Sequence, residues 1–185
     1  MANISVIIPH WAIKPNLDVL LQRAVRSVAS QAMEVIVVVN EGTGMSKAVN
    51  QGLRCASGDY FLIMNNDVEL QRGALADMCK KRSIVSSVLN GKPQSFWGCF
   101  FAFSREVYEL IGPMDEGYEL TYCDDYDYIM KAREVGIQLA CAENVFVTSE
   151  EHQTMKHVEG RHAIVDRNRK RFQDKWGISP DAVLA

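Results

Sequence analysis

The chain has 185 residues, 48% of them hydrophobic and 23% charged, with a formal net charge of -3. This suits one globular domain with a sizeable core, and no apolar run approaches the roughly 20 residues of a membrane span. The charge gives no global pull toward nucleic acid or anionic membrane, although a local basic patch is compatible with it.

The N-terminal MANISVIIPHW lacks a basic stretch followed by a long apolar one, so no signal peptide is expected. Within it, Ile4 to Ile8 is a β-branched run closed by Pro9 and predicts a first strand. Leu17, Leu20, Leu21, Ala24, Val25 and Val28 recur at helical spacing and predict a helix from Asn16 to about Ser30. EVIVVV, Glu34 to Val39, is a second buried strand, broken by NEGTG. A helix follows from Met45 to about Ala56, ended by SGD. Tyr60 to Met64, YFLIM, has the pattern of a strand buried on both faces. Strand and helix alternate up to this point, which indicates βαβ units and a parallel sheet.

The second half is less regular. A helix is expected over Arg72 to Lys81, and SVLNGKPQS is loop-like, with Asn-Gly and Lys-Pro as turn signals. Phe96 to Phe103 forms an apolar strand. Ser104 caps a short helix, REVYELIG, which Gly112-Pro113 ends. MDEGYELTYC is loop. DDYDYIMKAREVG is a helix with acids in its first turn and Gly136 after its last. QLACAENVFV carries one or two short strands, and Lys156 to Trp176 is helical and basic. Five scattered cysteines without a Cys-x-x-Cys fit buried thiols in a reducing compartment, hence a cytoplasmic protein.

Two acidic clusters carry the chemistry. Asn65-Asn66-Asp67 ends the YFLIM strand, and Asp124, Asp125 and Asp127 open a helix. Each has a plain explanation: Asn and Asp form turns, and acids suit a helix N-terminus. Together they suggest a hard divalent cation at one cluster and a proton acceptor at the other. Mg²⁺ and Mn²⁺ take oxygen ligands and bind through one or two carboxylates plus substrate phosphates. Gly42-x-Gly44 lacks the third glycine of a dinucleotide fingerprint, and no phosphate loop or nucleophilic triad is present. His152, in a polar loop, is a candidate ligand, whereas His10, His157 and His162 are expected at the surface.

The joint order of these pieces resembles the family 2 glycosyltransferases of the GT-A fold. The resemblance rests on SVIIPHW (Ser5 to Trp11), EVIVVVNEGTG (Glu34 to Gly44) and NQGLRCASGDYFLIMNNDVEL (Asn50 to Leu70). It continues in WGCFFAFSREVYELIGPMDEGYELTYCDDYDYIMKAREVG (Trp97 to Gly136) and NRKRFQDKWG (Asn168 to Gly177). It implies a Rossmann-like three-layer α/β/α sandwich with a mostly parallel central sheet, in one domain spanning 1–185. Residues 1–70 would form the nucleotide-sugar-binding half, 71–155 the acceptor and catalytic half, and 156–185 a basic helical segment.

The implied activity is inverting, metal-dependent transfer of a sugar from a nucleoside diphosphate, a UDP- or dTDP-sugar, to an acceptor hydroxyl. Asp67 matches the family's metal carboxylate, with Asn65 beside it, and His152 sits near a late metal ligand; the cation would be Mn²⁺ or Mg²⁺. Asp125 matches the general base, with Asp124 adjacent. Pro9, Asn40, Glu41, Asn50, Gly58, Asp59, Asn65 and Asn66 fall along the nucleotide-sugar pocket, and Trp97, Gly98 and Asp127 on the acceptor side. The family's base-reading Asp after the second strand is replaced here by Val39 or Asn40, so the Asn40 carbonyl or Glu41 would accept from uracil or thymine N3–H. A non-catalytic nucleotide or sugar binder and a nucleotidyltransferase are the competing classes. The acceptor could be a glycan, a lipid-linked species, or a polyanion such as hydroxymethylated DNA. The last follows from the cluster of Lys156, Arg161, Arg167, Arg169, Lys170, Arg171 and Lys175, which would otherwise be a solvated helix face.

Overall fold

The computed structural model describes residues 2–150 and 153–184. The first half follows the alternation of its sequence: β1 (Ile4–His10), α1 (Pro15–Val28), β2 (Glu34–Val39), α2 (Met45–Cys55) and β3 (Tyr60–Met64). There follow β4 (Val68–Leu70), a 3-10 turn (Leu75–Met78), β5 (Ser83–Leu89), β6 (Lys92–Pro93), β7 (Phe100–Ser104), α3 (Arg105–Ile111) and α4 (Asp124–Glu134). β8 (Gln138–Ser149) and α5 (Arg161–Trp176) complete the fold, with 3-10 turns at Met155–His157 and Pro180–Ala182.

The strands form one sheet in the order β2-β1-β3-β7-β5-β8-β4, with β6 hairpinned onto β5. β1 pairs in parallel with both β2 and β3, as the βαβ pattern requires. β7 enters antiparallel between β3 and β5, β5 and β8 pair in parallel, and β4 pairs antiparallel at the far edge. The sheet is therefore mixed. Because successive strand residues face opposite sides, it separates two cores. Ile7, Phe61, Ile63, Phe101 and Phe103 pack under α2, α3, α4 and Phe172 of α5. Val6, Ile8, Leu62, Met64 and Phe100 pack under α1 and the 72–79 segment. The three-layer arrangement is the one expected. Among the described residues no helix is long and apolar enough to cross a membrane.

Local departures have local causes. The helix expected over Arg72 to Lys81 shrinks to one 3-10 turn, because Gly73 adopts a left-handed φ of 79° where the helix should start. The segment taken as loop begins inside β5. Its serines masked a strand buried along nearly its whole length, and Asn90-Gly91, both at positive φ, form the two-residue turn to β6. The apolar strand begins at Phe100 rather than Phe96: the Phe100 N–H donates to the Trp97 carbonyl, so residues 97–99 turn out of the sheet. β8 is a single twelve-residue strand, bulged where its partners step from Ala142 to Phe146 as β5 advances from Ser87 to Val88. All five cysteines carry free thiols.

Candidate active site

A cavity of about 310 Å³ opens where β1, β2 and β3 end, the place where parallel strands present their loops to ligands. Pro9 and Trp11 line it after β1, and Asn40, Gly42 and Gly44 after β2. Gly42 has φ 77°, and a Cβ there would come within 2.9 Å of the Trp11 ring. The glycine is what allows the indole to lie against this turn. Asn40 holds the turn: its backbone N–H donates to the His10 carbonyl, and its Oδ1 accepts from the Gly42 N–H at 3.1 Å. The oxygen expected to read a base is thus already engaged once, with one lone pair left. Glu41 is exposed and off the cavity wall.

Asn65, Asn66 and Asp67 line the cavity after β3. They are both turn and wall: the Val68 N–H donates back to the Asn65 carbonyl, and the Asn65 N–H donates to the Cys99 carbonyl. The Asp67 carbonyl accepts from the Glu150 N–H at 3.3 Å, so β8 clamps the triplet from its other side. Arg23 of α1 bridges Glu69 and Glu150 beside it. His10 is not a surface residue. It is buried at the end of β1, with Asp18 on one ring nitrogen and Asn66 on the other. His152 lies outside the described residues; among those described, no three His, Cys, Asp or Glu side chains converge as a metal cage.

Trp97 and Gly98 line the cavity before β7, and Asp124 and Asp125 at the start of α4. A Cβ on Gly98 would sit 2.1 Å from Asp125 Oδ2, so this carboxylate occupies space that only glycine leaves. Asp125 Oδ1 accepts from the Tyr126 N–H at 2.9 Å, and Asp124 Oδ2 accepts from the Ser46 hydroxyl of α2 at 3.1 Å. Burial, then the charge of Asp125, push Asp124 up to about 7 against the Ser46 hydrogen bond. Burial also raises Asp125.

The loop ahead of α4 is under backbone strain. Leu120, Tyr122 and Cys123 all adopt left-handed φ, at 51°, 76° and 67°, each costing roughly 1–3 kcal/mol for a non-glycine residue. Asn168, buried on α5, offsets this. Its Oδ1 accepts from the Glu119 N–H, and its Nδ2 donates to the carbonyls of Glu119, Thr121 and Tyr122 at 2.8, 2.8 and 3.2 Å. Nothing in the local sequence marks Asn168, Ser46, Trp11 or His10 for these parts, because each acts on a chain segment distant in sequence.

Other expected site residues lie elsewhere. Asn50 is buried under the loop after α3, exchanging hydrogen bonds with the Met114 backbone and donating to Glu116. Asp59 sits at the opposite end of β3 from the cavity, beside Asn3, and Gly58 makes room there for Ser5 and the Asn3 carbonyl. Asp127, fully buried, faces α5: it accepts from the Tyr118 hydroxyl and Trp176 Nε1 and pairs with Lys175 at 2.7 Å. The basic cluster is largely neutralised. Arg167 pairs with Glu119, Arg169 with Asp181, Lys170 with Asp174, and Arg171 and Lys175 with Asp115.

The family model described as Glycosyl transferase family 2 matches residues 21–83. Three solved structures share the architecture. The mannosyltransferase PcManGT from Pyrobaculum calidifontis, in complex with GDP-Man and Mn²⁺, aligns over 97% of this chain at 17% identity and TM-score 0.62. GalNAc-T7 with UDP, GalNAc and Mn²⁺ aligns over 80% at 14% identity and TM-score 0.65. The catalytic domain of Drosophila beta1,4galactosyltransferase 7 with xylobiose aligns over 78% at 14% identity and TM-score 0.61.

The chain has the GT-A fold. The family match covers the second strand and the NND triplet, so it bears out the resemblance read from those segments, while the motifs around Trp97 and Asp125 fall outside it. This GT-A chain spans 66%, 44% and 66% of the lengths of the three proteins, in the order given. No curated protein matches it in sequence.

Proposed function

We propose that the chain is an inverting glycosyltransferase that moves a sugar from a nucleoside diphosphate to an acceptor hydroxyl, with Asp125 as general base. The observation that carries this reading is that Asp67, at the end of β3, and Asp125, at the start of α4, line one cavity. Trp11 offers a flat face at the β1–β2 end, where a nucleobase would stack. Asn65 and Asp67 offer oxygen ligands for a cation where a diphosphate would lie. A single carboxylate with amide neighbours fits a cation completed by substrate phosphates and water, so Asp67 would hold Mn²⁺ or Mg²⁺. When bound, that ion supplies charge neutralisation of the departing diphosphate.

The remaining work falls to the chain. Asp125 is fixed against Gly98 with its Oδ2 toward the acceptor side, where it would take the acceptor's hydroxyl proton as the new bond forms. Asp124, lifted by burial and by the Asp125 charge, resists ionising beside it and so lessens the repulsion within the pair. The paired cations of α5 give little support to a polyanionic acceptor, and the glycosyl acceptor is sought instead at Trp97 and Gly98. A mass-spectrometric screen of nucleotide sugars with Mn²⁺ tests the reading, UDP- and dTDP-sugars first and GDP-sugars next. The expected result is release of the diphosphate by the wild-type chain and its loss in Asp125→Asn with binding retained. Binding without release by the wild type would make the protein a binder.

A further inference from the structure

Behind the triplet runs a hydrogen-bonded chain that the proposed reaction does not use. Asp18 Oδ1 lies 2.9 Å from His10 Nε2, and His10 Nδ1 lies 2.8 Å from Asn66 Nδ2. The His10 side chain is 3% exposed and that of Asp18 56%; Asn66 is 5% exposed and lines the cavity. The Asp18 end sets the polarity of this chain. A carboxylate only accepts, so His10 Nε2 carries the hydrogen. With Asn66 Nδ2 on it, Nδ1 is bare, because an amide nitrogen only donates, and the ring is the Nε2–H tautomer. With its nitrogen held on the ring, Asn66 has its carbonyl oxygen left for the cavity. Among the described residues no protein donor reaches that oxygen. A hydrogen on Nδ1 would turn the amide over and present N–H groups instead.

We propose that His10, held by Asp18, is a positioning residue that makes Asn66 a hydrogen-bond acceptor toward the bound ligand. The group selected is a hydroxyl of the nucleoside diphosphate sugar, on the ribose or on the transferred sugar. This rests on the reading of the cavity as a nucleotide-sugar site. A plain core histidine would need no fixed tautomer and would leave the ligand side of Asn66 unaffected. A site built to accept from a hydroxyl rejects analogues lacking it, because its own polar group is then left unpaired.

The first test needs no ligand: the ring-nitrogen NMR signals of His10 should show the Nε2–H tautomer in the wild type and a mixture in Asp18→Ala. Hydrogen on Nδ1 in the wild type, as the Nδ1–H tautomer or as the imidazolium, overturns the proposal. The second is calorimetric titration and steady-state kinetics with whichever of the UDP- and GDP-sugars the wild type binds. Asn66→Leu, His10→Phe and Asp18→Ala should each weaken donor binding by about 2- to 10-fold, the worth of one net hydrogen bond, raising KM and sparing kcat. Asp18 is exposed, so its variant should fold even where His10→Phe does not. The sugar-free diphosphate separates the two sources. If the difference between wild type and Asn66→Leu vanishes there, the transferred sugar is read; if it persists, the ribose is read, and the 2′- and 3′-deoxynucleotides show which of its hydroxyls. Should the wild type bind no nucleotide sugar, the cavity reading itself falls. If it binds one and Asn66→Leu and Asp18→Ala bind it as tightly, this inference alone falls.

Discussion

Asp125 owes its place to a side chain that is absent. With Oδ2 2.1 Å from where a Gly98 Cβ would stand, Gly98→Ala must push the carboxylate aside or shift the turn at 97–99. Misplacement of a reacting group by about 1 Å can cost 10²-fold, so kcat should fall by about that factor with donor KM little changed, as steady-state kinetics would show. If Asp125 is the base, as proposed, Asp125→Asn should cost about 10²–10⁴-fold in kcat.

Asp124 makes a separate prediction about stability. Its carboxyl titrates at about 7 in the folded chain against an ordinary 3.8. As pH rises between those values, the unfolded chain gives up this proton while the folded chain keeps it. The folded state then binds more protons, so stability declines with rising pH across that window and levels off above it. Asp124→Asn should flatten the decline, and urea melts at pH 4, 5.5 and 7.5 (about the foot, middle and top of the window) would show it. Equal pH dependence in both proteins would place Asp124 outside this role.

At the scale of elements, the loop at 119–123 and α5 form one device. Three left-handed residues lead into the aspartates, and one buried amide on α5 meets four backbone groups of the loop. Asn168→Leu would strand those groups at about 1–3 kcal/mol each if they stay dry. The loop should relax, with a lower melting temperature and a fall in kcat exceeding that in donor affinity. The basic letters of α5 are similarly set by their partners: burial disfavours the Asp115 charge, but Lys175, the Gly117 N–H and Arg171 outweigh it and hold the carboxyl at about 2. The sequence shows a run of cations, but apart from Asp174, one turn after Lys170 on the same helix face, their carboxylates lie a dozen or more residues away along the chain. A patch and a paired face look alike from sequence.

At the scale of the molecule, β1 through β3 were legible because each strand and helix carries its own period and its own stop signal. The second half was harder. A strand containing Ser86 and Ser87 looks polar until the Phe100 carbonyl and Trp97 N–H are seen to use Ser86, and an antiparallel β7 between β3 and β5 leaves no mark in strand order. The site divides the same way. The places of Asp67 and Asp125 on the cavity wall were readable because each ends or begins an element within its own motif. Asn50, Asp59 and Asp127 belong to equally suggestive motifs, yet face the Met114 backbone, Asn3 and Trp176. His10, in a segment read only as a strand end, proved to be part of the wall's support.

If the cavity is a nucleotide-sugar site completed by a cation, Mn²⁺ and donor together should stabilise the fold more than the sum of each alone. Saturation at 100 times Kd is worth about 2.7 kcal/mol, readily seen as a shift in melting temperature. The most direct test is the rate of diphosphate release from nucleotide sugars with Mn²⁺, compared for wild type, Asp67→Ala and Asp125→Asn. Metal-dependent release by the wild type that both substitutions abolish is the predicted result. Release that survives Asp125→Asn at the wild-type rate, or no release from any nucleotide sugar, would contradict the assignment.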